Sequence, residues 1–91
     1  MTRVHVAVRG RVQGVGFRWF ARERARGLDL AGWVSNRPDG SVEVAAEGAE
    51  PAIATLRAAL GEGPPGASVD SVDDLPPAAG DLPRPFTILR A

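Results

Sequence analysis

Residues 3–9 read RVHVAVR, and the alternation is strict. Val4, Val6 and Val8 fall on one side and Arg3, His5, Ala7 and Arg9 on the other, which is the two-residue period of a β-strand. One apolar and one polar side predict a strand buried on a single face. That decides the architecture. Doubly wound parallel sheets are covered on both faces and show near-continuous apolar runs, whereas a sheet covered once belongs to a two-layer sandwich of helices on mostly antiparallel sheet.

The stretch that follows, GRVQGVGFR at 10–18, is the chemical centre of the sequence. Gly10, Gly14 and Gly16 can take positive φ, so that successive backbone N–H groups turn inward and form a concave nest. A helix starting near Phe17 leaves its first N–H groups unpaired and points the positive end of its dipole at the same place. Arg18 adds a guanidinium fork matched to two phosphate or carboxylate oxygens. The expected anion cradle is therefore the main chain of Gln13, Gly14, Val15, Gly16, Phe17 and Arg18, completed by the Arg18 side chain.

Further along, Phe17, Phe20, Ala21, Ala25 and Leu28 recur at helical spacing, with Trp19, Arg22 and Arg26 on another side and Gly27 as the natural stop. Phe17 and Phe20 are expected in the core. Residues 30–36 and 41–47 read as strands joined by Arg37-Pro38-Asp39-Gly40, a turn in which Pro presets φ and Gly takes the left-handed position. Trp33 lies on the opposite face from Val34, as a packing or rim residue. If the strand at 41–47 lies beside the first, the outward Glu43 and Glu47 meet Arg3, His5 and Arg9, each exposed pair contributing roughly 0–1 kcal/mol. Pro51 opens a second helix with Ile53, Leu56, Ala59 and Leu60 as its apolar stripe and Gly61 at its end. A loop over 61–68, a strand at 67–72, a proline-rich connection at 73–85 and a short strand at 86–89 complete the chain.

The order strand, helix, strand, strand, helix, strand, short strand predicts an α+β fold: a ferredoxin-like two-layer sandwich (βαββαβ plus a short fifth strand), with a mostly antiparallel sheet and two helices on one face. In that topology the first two strands run parallel with the third between them. Asn36, closing the second strand, then stands two strand spacings, about 10 Å, from the start of the cradle. A loop leaning sideways from the first strand narrows this to the width of an anion and a water.

Composition limits the chemistry. Ninety-one residues, 44% of them hydrophobic, fit one domain over 1–91 with a modest core. Eleven basic and eleven acidic residues cancel, against the basic field of a nucleic-acid binder. Without cysteine there is no disulfide, thiolate nucleophile or cysteine-ligated zinc, and one histidine cannot build a histidine-rich metal site, so neither metal nor cofactor is expected. No basic-then-apolar leader and no membrane-length apolar run are present, which gives a cytoplasmic expectation without membrane association. The chain holds one Asn and one Gln, Asn36 and Gln13, both beside the expected cradle. Scarcity of these thermolabile amides points weakly to heat resistance.

Nucleophilic catalysis is poorly served: the hydroxyls at Thr2, Ser35, Ser41, Thr55, Ser68, Ser71 and Thr87 have His5 as their one imidazole, and His5 sits mid-strand on the polar side. It reads better as a strand residue facing Glu43 or Glu47 than as a general base. The carboxylates lie on different elements and face outward, which does not suit paired acid–base work. What remains is anion binding plus one carboxamide, and phosphoryl transfer is accelerated mainly by positioning and charge stabilisation. A carboxylate leaving group, with a pKa of roughly 4, departs without a general acid. An acyl phosphate is thus the substrate that asks least of the protein, with Arg18 and the nest on the phosphoryl oxygens and Asn36 orienting water. Each motif alone has a plainer reading, a tight strand-to-helix connection for the glycines and ordinary turn chemistry for Asn36. Nothing in the sequence marks a pocket for the acyl part.

Taken together, GRVQGVGFRWF at 10–20, GWVSNRPDGSVEV at 32–44 and GPPGASVDSV at 63–72 resemble the acylphosphatase family over essentially the whole chain. The resemblance implies a ferredoxin-like sandwich and a small, monomeric, freestanding enzyme that hydrolyses carboxyl–phosphate bonds without a metal. It also implies phosphate binding by Arg18 and water positioning by Asn36. A small acyl phosphate is the expected substrate and inorganic phosphate or sulfate the expected bound anion. The rival reading is a non-catalytic small-anion-binding module of the same fold. An RNA binder is disfavoured, because the polar side of the sheet offers Arg3, His5, Ala7, Arg9, Glu43, Ala45 and Glu47 and no stacking aromatics.

Overall fold

The computed structural model describes residues 1–89. Strand β1 spans Thr2–Arg11, helix α1 Phe17–Gly27, β2 Ala31–Asn36, β3 Val42–Gly48, α2 Glu50–Glu62, β4 Ser68–Asp74 and β5 Thr87–Ile88. The sheet order is β4-β1-β3-β2-β5. β1 is antiparallel to β3 and β4, β2 is antiparallel to β3, and β5 adds to β2 in parallel. This is the ferredoxin-like sandwich expected from the alternation of β1, with β3 between the parallel β1 and β2.

Val6, Val8, Val34, Val42 and Val44 form the covered face and pack with Phe17, Ala21 and Ala25 of α1 and Ile53, Leu56 and Leu60 of α2. Phe86, just before β5, is fully buried in the same core. Gly10 sits where the register of β1 against β4 shifts, at φ 128°, and a Cβ there would lie 2.2 Å from the Ser68 carbonyl oxygen. Only glycine allows β4 that close, so β1 both pairs with β4 and bends into the cradle loop.

Several expectations shift. Gly27 is the last residue of α1 and the left-handed position falls to Asp29, at φ 57°, whose short polar side chain tolerates it. Helix α2 starts one residue before Pro51 and runs past Gly61 to Glu62, with Gly63 beyond it at φ 74°. Phe20 is only half buried, because it lies at the margin of the helix–sheet layer with the Arg24 guanidinium 5.1 Å from its ring. Arg9 pairs with Asp39 and Asp73, at 3.2 and 2.9 Å, and not with the β3 carboxylates. The reason is register: Val8 opposite Val42 is the last β1–β3 pair, so Arg9 faces the turn.

The polar side of β1 is less open than its pattern suggests. The connection after β4 folds back across it as a strap, with Leu75 N–H donating to the His5 carbonyl at 2.8 Å. Arg3 donates to the carbonyls of Ala78 and Gly80, at 2.9 and 2.7 Å, and forms its ion pair with Glu47 at 2.9 Å. His5 lies between the Glu43 carboxylate, at 2.5 Å, and the Pro76 carbonyl, at 2.6 Å, with Trp33 edge-on to its ring. A proline-rich segment offers carbonyls without an equal number of N–H groups, and the two basic side chains of β1 take them up.

Candidate active site

Strand β1 ends at Arg11, and the chain turns through 12–16 before α1 begins. Gly14 and Gly16 adopt φ 77° and 80°, the left-handed conformation in which flanking amides converge. Gly16 caps α1, and the first helical hydrogen bond runs from Phe20 N–H to the Gly16 carbonyl at 3.0 Å. The N–H groups of residues 17–19 precede it, and a helix start supplies no intrahelical carbonyl for them. No acidic residue occupies the first turn of α1, so nothing on the helix itself opposes an anion there.

A cavity of about 240 Å³ opens at this corner, lined by Val12, Gly14, Gly16, Phe17, Arg18, Trp19, Asn36 and Ile88. Arg18 and Asn36, eighteen positions apart in sequence, therefore face the same space. Among the described residues Arg18 enters no ion pair, although Arg3, Arg9, Arg22, Arg57 and Arg84 all do. The Asn36 carboxamide likewise makes no side-chain hydrogen bond among them, its contact with Ser35 being through the backbone carbonyl at 3.3 Å. One cation and one amide, both without a side-chain partner among the described residues, line one cavity with two left-handed glycines.

Gln13 and Val15 belong to the expected cradle but stand outside the lining. The Gln13 side chain points instead to the β2–β3 turn, where its Nε2 donates to the carbonyls of Arg37 and Ser41 at 2.8 and 2.9 Å. The turn itself is closed by Arg37 N–H to the Ser41 carbonyl at 2.9 Å, with Gly40 at φ 92°. Asp39 Oδ1 accepts from Ser41 Oγ and N–H, at 2.6 and 2.9 Å, and these two bonds hold its carboxyl well below the usual range, at about 2.

Val12, Trp19 and Ile88 line the cavity without having been singled out as site residues. Their signal was present only for Trp19, a large aromatic on the outward side of a helix. Ile88 reaches the cavity through its pairing opposite Val34 in the parallel β2–β5 ladder, which no local pattern reveals. His5 is not in the lining, and its hydrogen bonds tie it to β3 and the strap. The described residues contain no group of three or more His, Cys, Asp or Glu side chains able to hold a metal ion. Among them no helix is long and apolar enough to cross a membrane.

Fold and cavity together define a small α+β domain that gathers Arg18, Asn36 and two left-handed glycines around one cavity. A family model described as Acylphosphatase matches residues 4–82. An acylphosphatase of Nitratidesulfovibrio vulgaris is 50% identical over 90 residues, covering 97% of this chain and 90% of that one. Another, from Shewanella amazonensis, is 43% identical over 91 residues and covers both chains completely. The crystal structure of acylphosphatase from Bacillus subtilis superposes with a TM-score of 0.89 at 40% identity, covering 98% of this chain and 99% of that one. The chain belongs to the acylphosphatase family. It is an enzyme of the hydrolase class to which that family belongs.

Proposed function

We propose that the cavity between the cradle loop and the end of β2 is where a small acyl phosphate is split into a carboxylate and inorganic phosphate, with Arg18 and Asn36 as the catalytic residues. The observation that carries this reading is their shared cavity. The Arg18 guanidinium and the converging amides of the loop at 13–18 hold the non-bridging phosphoryl oxygens and stabilise the charge that grows on them in the transition state. Inorganic phosphate or sulfate fills the same cradle as product or mimic.

The Asn36 carboxamide oxygen accepts a hydrogen bond from a water and aims its lone pair at phosphorus, opposite the bridging oxygen. The water oxygen forms the new P–O bond and the bridging P–O bond breaks. Its electron pair leaves on the carboxylate, and the water proton passes to phosphate or solvent. The departing carboxylate is the conjugate base of an acid with a pKa of roughly 4, so no protein group need protonate it. Charge stabilisation rests on Arg18 and the amides, and no step requires a nucleophilic side chain.

The same reading takes residues 1–91 as one functional unit that acts as a monomer in the cytoplasm. Its near-balanced charge and its strapped sheet face support no nucleic-acid partner.

The experiment is a kinetic comparison on benzoyl phosphate with chelator present. Arg18→Ala should raise both KM and the inhibition constant of inorganic phosphate and lower kcat. Asn36→Ala should lower kcat by at least about a hundredfold while leaving the phosphate inhibition constant nearly unchanged. Wild-type activity in either variant overturns the roles, and an inactive wild-type protein that still binds phosphate favours the anion-binding module.

A further inference from the structure

The cavity has two kinds of wall. Gly14, Gly16, Arg18 and Asn36 supply its polar part, while Val12, Phe17, Trp19 and Ile88 supply side chains with no charge. Val12 and Phe17 are 1% and 2% exposed and form the floor, whereas Trp19 is 57% exposed. An indole so open at a site's edge is unusual for a side chain that gains most by burial. It is nonetheless held in place. The Arg22 guanidinium, one turn on, lies 4.2 Å from the centroid of the Trp19 ring, and Glu23 pairs with Arg22 at 3.1 Å. The charge nearest the ring is therefore already matched, and the contact favours this placement of the indole.

An acyl phosphate is itself divided in the same way, with a charged phosphoryl group joined directly to an acyl carbon. Once Arg18 and the amides take the phosphoryl oxygens, the acyl group has to occupy what remains of the same cavity. There it meets Trp19, Ile88 and Val12, and the cation beside the ring, Arg22, is already paired with Glu23. Burying an unpaired carboxylate or ammonium against such walls is costly, whereas a flat apolar group gains both area and stacking.

We propose that Trp19, with Ile88 and Val12, forms an acyl subsite that makes this enzyme selective for acyl phosphates with an apolar, aromatic acyl group. Trp19 is the specificity-determining residue. This rests on the phosphatase reading and adds to it the class of substrate.

The test compares kcat/KM for benzoyl phosphate, acetyl phosphate and succinyl phosphate in the wild-type protein, in Trp19→Ala and in Trp19→Phe, with the inhibition constant of inorganic phosphate measured in each. Wild type should prefer benzoyl phosphate to the other two by about tenfold or more. Trp19→Ala should lose most of that preference, its kcat/KM falling several-fold further on benzoyl phosphate than on acetyl or succinyl phosphate. Trp19→Phe, which keeps an aromatic face, should retain most of it. Equal losses on all three substrates, or an unchanged preference in Trp19→Ala, overturn the subsite. Should wild type hydrolyse none of the three, the phosphatase reading falls and the subsite falls with it.

Discussion

The Gln13 carboxamide donates to the Arg37 carbonyl at 2.8 Å, and so ties the cradle loop to the residue that follows Asn36. The second hydrogen of the same amide reaches the Ser41 carbonyl at 2.9 Å, on the other side of the turn. One side chain thus spans the start of the loop and both ends of the β2–β3 turn, fixing the separation of the two halves of the site. Its role in the cradle is to hold geometry from behind.

Gln13→Ala should accordingly lower kcat by about tenfold, through misplacement of Asn36, with a smaller effect on phosphate inhibition. Stability should fall by only about 1 kcal/mol, because both carbonyls retain a backbone donor. Gln13→Glu should be worse on both counts, since a carboxylate would face two carbonyl oxygens with no hydrogen to offer. Chemical denaturation and steady-state kinetics on the three proteins check the order.

Gly10 marks a close approach of β4 to β1. Gly10→Ala forces a methyl carbon to within 2.2 Å of the Ser68 oxygen at a φ of 128° that L-residues avoid. A loss of more than about 2 kcal/mol is expected, felt first as detachment of β4 from β1. Hydrogen exchange on the amides of 68–74 would report it, and protection equal to wild type would contradict it.

The Asp39 turn gives a pH dependence of defined sign. Its carboxyl is held at about 2 by the Ser41 hydroxyl and amide, below its ordinary value of 3.8. A depressed carboxyl stabilises the fold above the unfolded value and loses that contribution as pH falls through the folded one. The melting temperature of wild type should therefore exceed that of Asp39→Ala by a constant margin above about pH 5, and the margin should shrink as pH drops from about 4 to 2. A gap independent of pH would mean that the carboxylate charge contributes nothing.

The fold was legible because β1 alternates without a break and because the turn at 37–40 carries Pro, Asp and Gly each where its backbone needs them. Both are local signals, and the layer arrangement follows from them. The placing of Gly14, Gly16 and Arg18 at one cavity was legible for the same reason, since glycine spacing, a helix start and an arginine are contiguous in sequence, whereas Asn36 followed from the topology that sets the end of β2 beside that loop. The rest depends on the return of the chain. The strap over His5 and Arg3 comes from residues 75–80, and Ile88 enters the cavity through a parallel ladder whose partner lies more than fifty residues earlier. A proline-rich connection shows no periodicity from which that path can be read. Gln13 was seen as main chain only, because the target of a side-chain amide is another segment's carbonyl and leaves no trace in spacing.

The central claim is that water held by Asn36 attacks phosphorus while Arg18 and the loop amides grip the phosphoryl group. It is tested most directly by letting the enzyme hydrolyse benzoyl phosphate in water enriched in heavy oxygen and weighing both products by mass spectrometry. The account predicts one heavy oxygen in each inorganic phosphate and none in benzoate. Label appearing in benzoate would place the attack at the acyl carbon, and the site described here would be doing different chemistry.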